Sequence, residues 1–173
     1  MLLAGFNVMA GSDCRAWMLP LTEDRHVAIG EYEMVHIIPE WVRLQAIPLC
    51  PLHCHKVFTW QGQLIPLFDL HAYIRPQGRL VADAAQDVIP VICIVAYEEA
   101  NRNVGYGALL LCAIPFRTNV ANDQICDFPD DNGKWNHIAA SCFSDPVVGL
   151  TPILDLPRIF CSTPREWTAP PGR

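Results

Sequence analysis

Long apolar runs are missing from this sequence, and so are basic clusters and sustained helical periods. No apolar stretch reaches the roughly 18 residues of a membrane-crossing helix, which argues against direct membrane insertion. The twelve Lys and Arg residues are scattered and the net charge is −6. That balance argues mildly against nucleic acid or anionic membrane as a partner. No stretch keeps an apolar 3.6-residue period for three turns, because fifteen prolines and ten glycines divide the chain. Short strands separated by turns fit that pattern better than helices. The opening Met1–Phe6 has no basic region and too short an apolar segment for an export signal, and Met9 is an equally good start. The expectation is a cytoplasmic protein whose eight cysteines are reduced.

Catalytic patterns are also lacking. Ser141, Ser144 and Ser162 stand outside any Gly-x-Ser-x-Gly elbow. Gly105-Tyr106-Gly107 has no third glycine and enters an apolar run, so it reads as strand flexibility rather than a phosphate loop. Asp130-Asp131-Asn132-Gly133 has the residues of a turn without the remaining ligands of a calcium loop. The chain reads as a non-enzyme that needs no cofactor.

What is present is apolar content: 51% of the residues are hydrophobic, enough for a substantial core in 173 residues, whether as one domain or two closely joined subdomains. Candidate strands are Trp17–Leu21, His26–Gly30, Lys56–Trp60, Leu64–Phe68, Ile89–Ala96, Val104–Leu111, Phe116–Val120, Ile138–Phe143 and Val147–Leu154. They indicate an all-β barrel or sandwich. Glu31–Ile38 reads either as a helical turn or as an irregular strand. Gln77–Gln86 is a polar connection near the midpoint, a natural join between two halves. Asp127–Asn136 is the clearest surface loop. The expected layout is an extension over 1–16, one domain over 17–162 and a Pro-rich tail over 163–173.

One stretch organises the rest: Trp60-Gln61-Gly62-Gln63-Leu64-Ile65-Pro66-Leu67-Phe68-Asp69-Leu70. Gly62 supplies turn freedom. Leu64–Phe68 forms a buried strand, and Asp69 caps a short helix over Leu70–Ile74. The sequence ends on an echo of it, Pro152-Ile153-Leu154-Asp155-Leu156, with Phe160 in the place of Ile74. Two similarly built halves follow from that echo, each finished by a strand and a helical turn. Val57, Leu64, Ile65 and Leu67 are read as core.

Cys50-Pro51-Leu52-His53-Cys54-His55 is the one cluster with metal-ligand chemistry. Thiolate and imidazole suit zinc, and an extended strand would put His53 and His55 on one side. A metal or redox sensor built on Cys50, His53, Cys54 and His55 is therefore an alternative function. The cluster has no second Cys/His pair at zinc-finger spacing.

The order of short motifs resembles the CheW-like family of chemotaxis coupling proteins. Pro48-Leu49-Cys50-Pro51, then Lys56-Val57, Gln61-Gly62 and Pro66-Leu67-Phe68-Asp69-Leu70, follow the family's Pro-x-x-Pro, Gly-Val, Arg-Gly and Pro-Val-x-Asp-Leu. Met34-Val35-His36-Ile37-Ile38 stands where the family has Val-x-Glu-Ile-Ile. Val104-Gly105-Tyr106-Gly107 and Ile153-Leu154-Asp155-Leu156 take the later places.

The resemblance implies two interleaved, SH3-like, five-stranded β-barrel subdomains sharing a hydrophobic seam, with short helical turns. It implies a cytoplasmic adaptor joining the regulatory domain of a CheA-type histidine kinase to the cytoplasmic tip of a chemoreceptor. The setting is chemotaxis or a related pathway such as one controlling type IV pili. Partner-binding residues carried over are Met34, His36, Ile38, Lys56, Val57, Gln61 and Gly62. Gln61 replaces the family's Arg and loses its charge and donor fork. Lys56 replaces a Gly, and His36 a Glu. A degenerate copy that folds but has lost its partners is the third possibility.

Overall fold

The computed structural model describes residues 14–40, 42–75 and 91–161. Eleven strands run β1 Cys14–Thr22, β2 Arg25–Gly30, β3 Met34–Ile38, β4 Gln45–Ala46, β5 Lys56–Trp60, β6 Gln63–Phe68, β7 Val91–Glu98, β8 Val104–Leu111, β9 Phe116–Val120, β10 Ala139–Asp145 and β11 Gly149–Leu154. The helices are short: α1 Leu70–Ile74, α2 Trp135–Ile138 and α3 Leu156–Cys161. Among the described residues no helix is long and apolar enough to cross a membrane.

The strands form two sheets, ordered β10-β11-β2-β1-β9 and β3-β7-β8-β6-β5-β4. The six-stranded sheet uses the middle of the chain, and the five-stranded sheet is assembled from its two ends. Division into consecutive halves is therefore incorrect. The segment 77–86, expected to join them, lies outside the described residues. The elements flanking it, β6 with α1 on one side and β7 on the other, belong to the six-stranded sheet.

The echo in the sequence is nevertheless a structural repeat. β6 forms a hairpin with β5 and runs parallel to β8 at Leu67↔Ala108. β11 forms a hairpin with β10 and runs parallel to β2 at Ile153↔Ala28. The remaining neighbours correspond in the same way: β7-β8 to β1-β2, β3 to β9, and β4 to the isolated bridge Ile125↔Phe143. One strand circuit thus occurs twice, cut at a different point of the chain.

The helix starts repeat as well. The Asp69 carboxylate accepts from the Ala72 N–H at 2.9 Å, and that of Asp155 accepts from the Arg158 N–H at 3.1 Å. Each satisfies an amide that the first turn leaves unpaired. The Asp69 N–H donates to the His53 carbonyl and the Asp155 N–H to that of Ile138, both at 2.8 Å. A short turn before each hairpin is tied in this way to the helix after it.

Period-two alternation builds three cores from these strands. Ile92, Ile94, Ala108 and Leu110 point into the six-stranded sheet with Phe58, Ile65 and Leu67. Ala16, Met18 and Ala28 point into the five-stranded sheet with Phe143 and Ile153. The intervening residues, Leu19, Val27, Ile29, Cys93, Val95, Leu109 and Leu111, meet between the sheets with Leu70 and Leu156. This is the shared seam. In the six-stranded sheet, β3 and β5 are four strand spacings apart, about 19 Å if the sheet were flat. The His36 and Trp60 rings nevertheless stack with centroids 6.3 Å apart. The sheet therefore curls strongly, although no ladder among the described residues closes either sheet into a barrel.

Three local expectations change. Glu31–Ile38 is a turn followed by β3, held by Glu33: its N–H donates to the Gly30 carbonyl at 3.1 Å, and its carboxylate accepts from the Gly30 N–H at 2.6 Å. The expected loop Asp127–Asn136 contains the start of α2, because Trp135 is 3% exposed and belongs to the seam. Its indole N–H donates to Asp131 at 2.9 Å. Gly105 and Gly107 serve close packing. A Cβ at Gly105 would lie 2.5 Å from the Tyr97 ring, and one at Gly107 2.4 Å from the Phe160 ring.

Candidate interaction surface

The hairpin β5–β6 turns through Gln61 and Gly62, whose φ angles are +49° and +78°. Positive φ at both central residues of a two-residue loop matches the twist of the flanking strands. Glycine adopts it freely, whereas glutamine meets a Cβ clash with its own backbone. Gln61→Asn is therefore expected to raise stability by about 0.5–1 kcal/mol, read from the midpoint of urea unfolding.

From this tip the pairs Thr59↔Leu64 and Val57↔Pro66 run back along one face. Thr59, Leu64 and Pro66 are exposed there. Leu64, expected in the core, is 63% exposed. Ile65 and Leu67 take the inward positions, so Leu64 and Pro66 face out. On the open side of β5, β4 pairs with Lys56 and Val57 only. Among the described residues, no ladder covers Phe58, Thr59 and Trp60 on that side.

The base of the hairpin carries a second apolar group. The Ile47 N–H donates to the His55 carbonyl at 2.6 Å, folding the intervening residues into a loop beside Lys56. Leu52 on that loop is 63% exposed, and Leu49 is fully exposed with a φ of +63°. Positive φ is costly for a leucine. Alternation around Ile65 would have identified Leu64 as outward-facing. Nothing in the sequence marks Leu49 or Leu52 as exposed.

The residues carried over from the resemblance fall into two groups. Gln61 and Gly62 form the exposed tip, Lys56 is half-buried on β5, and His36 is exposed on β3 against Trp60. Ile38 and Val57 are buried, 8% and 7% exposed. Met34 packs on the seam, its Sδ accepting from the Cys93 thiol at 3.1 Å. The curl of the six-stranded sheet brings His36 towards Trp60, which ends β5. The remaining residues are separated between the hairpin and β3.

Cys50, His53, Cys54 and His55 do not form an extended strand. Leu52–Cys54 is a 3-10 turn. The His53 ring lies 5.2 Å from Phe68 and 5.1 Å from Tyr73. Burial pushes its pKa down, helped by the charges of Lys134 and His55. The His55 ring contacts the Leu52 carbonyl, and burial raises the Cys54 thiol. Among the described residues, no group of three or more His, Cys, Asp or Glu side chains is placed to hold a metal ion. The convergence that metal sensing requires is not found there.

No family model matches the chain, and no curated protein matches it. Among solved structures it is similar to the scaffolding protein TtCheW from Thermoanaerobacter tengcongensis. The TM-score is 0.65 at 15% identity, over 88% of this chain and 95% of that one. At that identity the likeness speaks for architecture: two mostly antiparallel sheets, a shared seam and short capped helices are the CheW fold.

Proposed function

We propose that this chain is a non-catalytic scaffolding adaptor, working in the cytoplasm through protein contacts in a chemotaxis-type signalling assembly. The observation that carries the reading is its superposition, over almost the full length of both chains, on a protein described as a CheW scaffold. The surface supports it. An exposed leucine, a hairpin tip and an incompletely covered strand edge lie together on β5–β6. A strand edge offers backbone hydrogen bonds to a partner, and exposed apolar side chains add buried area.

The partners proposed are the regulatory domain of a CheA-type histidine kinase and the helical cytoplasmic tip of a chemoreceptor. On this reading Lys56, Gln61, Gly62 and His36 contact partners directly. Val57, Ile38 and Met34 support that surface from beneath. The test is co-sedimentation of the kinase domain with receptor-tip helices, with and without this chain. The expected result is a three-component complex that forms only when the chain is present. Absence of binding to either component would overturn the proposal.

A further inference from the structure

We propose that Cys126 and Cys142 are a reversible disulfide site, closed when a hydroperoxide reaches Cys126. The isolated antiparallel bridge Ile125↔Phe143 sets the register and places Cys126 directly opposite Cys142. The Cys126 N–H donates to the Cys142 carbonyl at 3.0 Å. The two Sγ atoms already lie 3.6 Å apart. Cross-strand partners of this hydrogen-bonded kind have Cα atoms about 5.5 Å apart, inside the range a disulfide spans. Closing the bond needs side-chain rotation and a sulfur approach to about 2.0 Å, without rearrangement of the strands.

The two sulfurs differ in access. Cys126 is half-buried and is the more accessible of the two. Cys142 is 2% exposed, and burial pushes its thiol pKa up to about 12. Its sulfur is therefore protonated and shielded, which leaves Cys126 to be oxidised first and slows the closing step. In the first step the Cys126 thiolate attacks the distal oxygen of a hydroperoxide. The O–O bond breaks, an S–O bond forms, and the alcohol leaves after taking a proton. In the second step the Cys142 sulfur attacks the sulfenic sulfur of Cys126. The S–S bond forms, the S–O bond breaks, and the departing hydroxyl takes the thiol proton and leaves as water. Two thiols lose two electrons and two protons, and the peroxide is reduced to alcohol and water. A reducing dithiol reverses the change by exchange.

The position gives the bond a consequence. The Ile125 segment lies on the outer edge of β10, in the place where β4 covers β5 in the other sheet. Oxidation would pin that segment and keep the edge covered against strand addition.

The test exposes the reduced full chain to tert-butyl hydroperoxide, alkylates the remaining thiols and maps disulfides by mass spectrometry. The expected result is a Cys126–Cys142 crosslink, removed by dithiothreitol, lost in Cys126→Ser and retained in Cys50→Ser. Slower amide exchange at residues 125 and 126 is expected after oxidation. A crosslink between Cys50 and Cys54 with Cys126 still alkylatable would overturn the proposal. So would overoxidation of Cys126 to the sulfinic acid without a crosslink. Cys126 is half-exposed and its replacement changes one atom, so loss of folding does not confuse the result.

Discussion

Leu109→Ala is expected to cost about 2–5 kcal/mol and to leave a single unfolding transition at a lower midpoint. Leu109 is 0% exposed on β8, and its side chain enters the seam with Leu19, Val27 and Ile29 from the other sheet. The substitution removes buried methyl groups and leaves a cavity where the sheets meet. The penalty depends on how far the surroundings relax. Both sheets bury side chains in this seam, so unfolding of one exposes the apolar face of the other. Calorimetry and urea unfolding followed by tryptophan fluorescence are expected to report the same transition. Two separated transitions would contradict a shared core.

The second large effect is expected at Gly107. Its added Cβ would lie 2.4 Å from Cε1 and Cζ of Phe160, closer than carbon atoms approach. Phe160 also stacks on Tyr97, with ring centroids 5.2 Å apart and planes 9° from parallel. Gly107→Ala is therefore expected to lose about 1–3 kcal/mol through overpacking. Removing the ring should remove the clash. Gly107→Ala combined with Phe160→Ala is expected to cost less than the sum of the two single changes. Additive losses in that cycle would show that the glycine serves something other than this ring.

These effects locate what could be read in the sequence. Lys56–Trp60, Val104–Leu111 and Phe116–Val120 are strands with the expected ends, because apolar alternation and flanking turn residues are local signals. Asp69 and the helix after it were legible for the same reason. The nesting of the sheets was not. It rests on pairings such as Ile153↔Ala28, between residues far apart in the chain, and no local pattern encodes them. Trp135 was hidden in a polar stretch, and only its tertiary contacts draw it inward. Gln45–Ala46 is too short to leave a periodic trace.

The surface divides similarly. Gln61 and Gly62 were legible as an exposed turn. Leu64 was misread because an unbroken apolar run conceals the face each residue takes. The metal-like cluster looked plausible as a strand. A 3-10 turn instead sends His53 toward Phe68 and Tyr73 and His55 back to the Leu52 carbonyl.

The adaptor reading is tested most directly by calorimetric titration of the chain, native and Leu64→Asp, into the regulatory domain of the cognate CheA-type kinase. Leu64 is 63% exposed, so the substitution is expected to leave unfolding unchanged. Micromolar-range binding by the native chain is predicted, weakened about tenfold or more by the buried charge in Leu64→Asp. Equal binding by both proteins would remove the β5–β6 face from the interface. No binding by the native chain would contradict the adaptor itself.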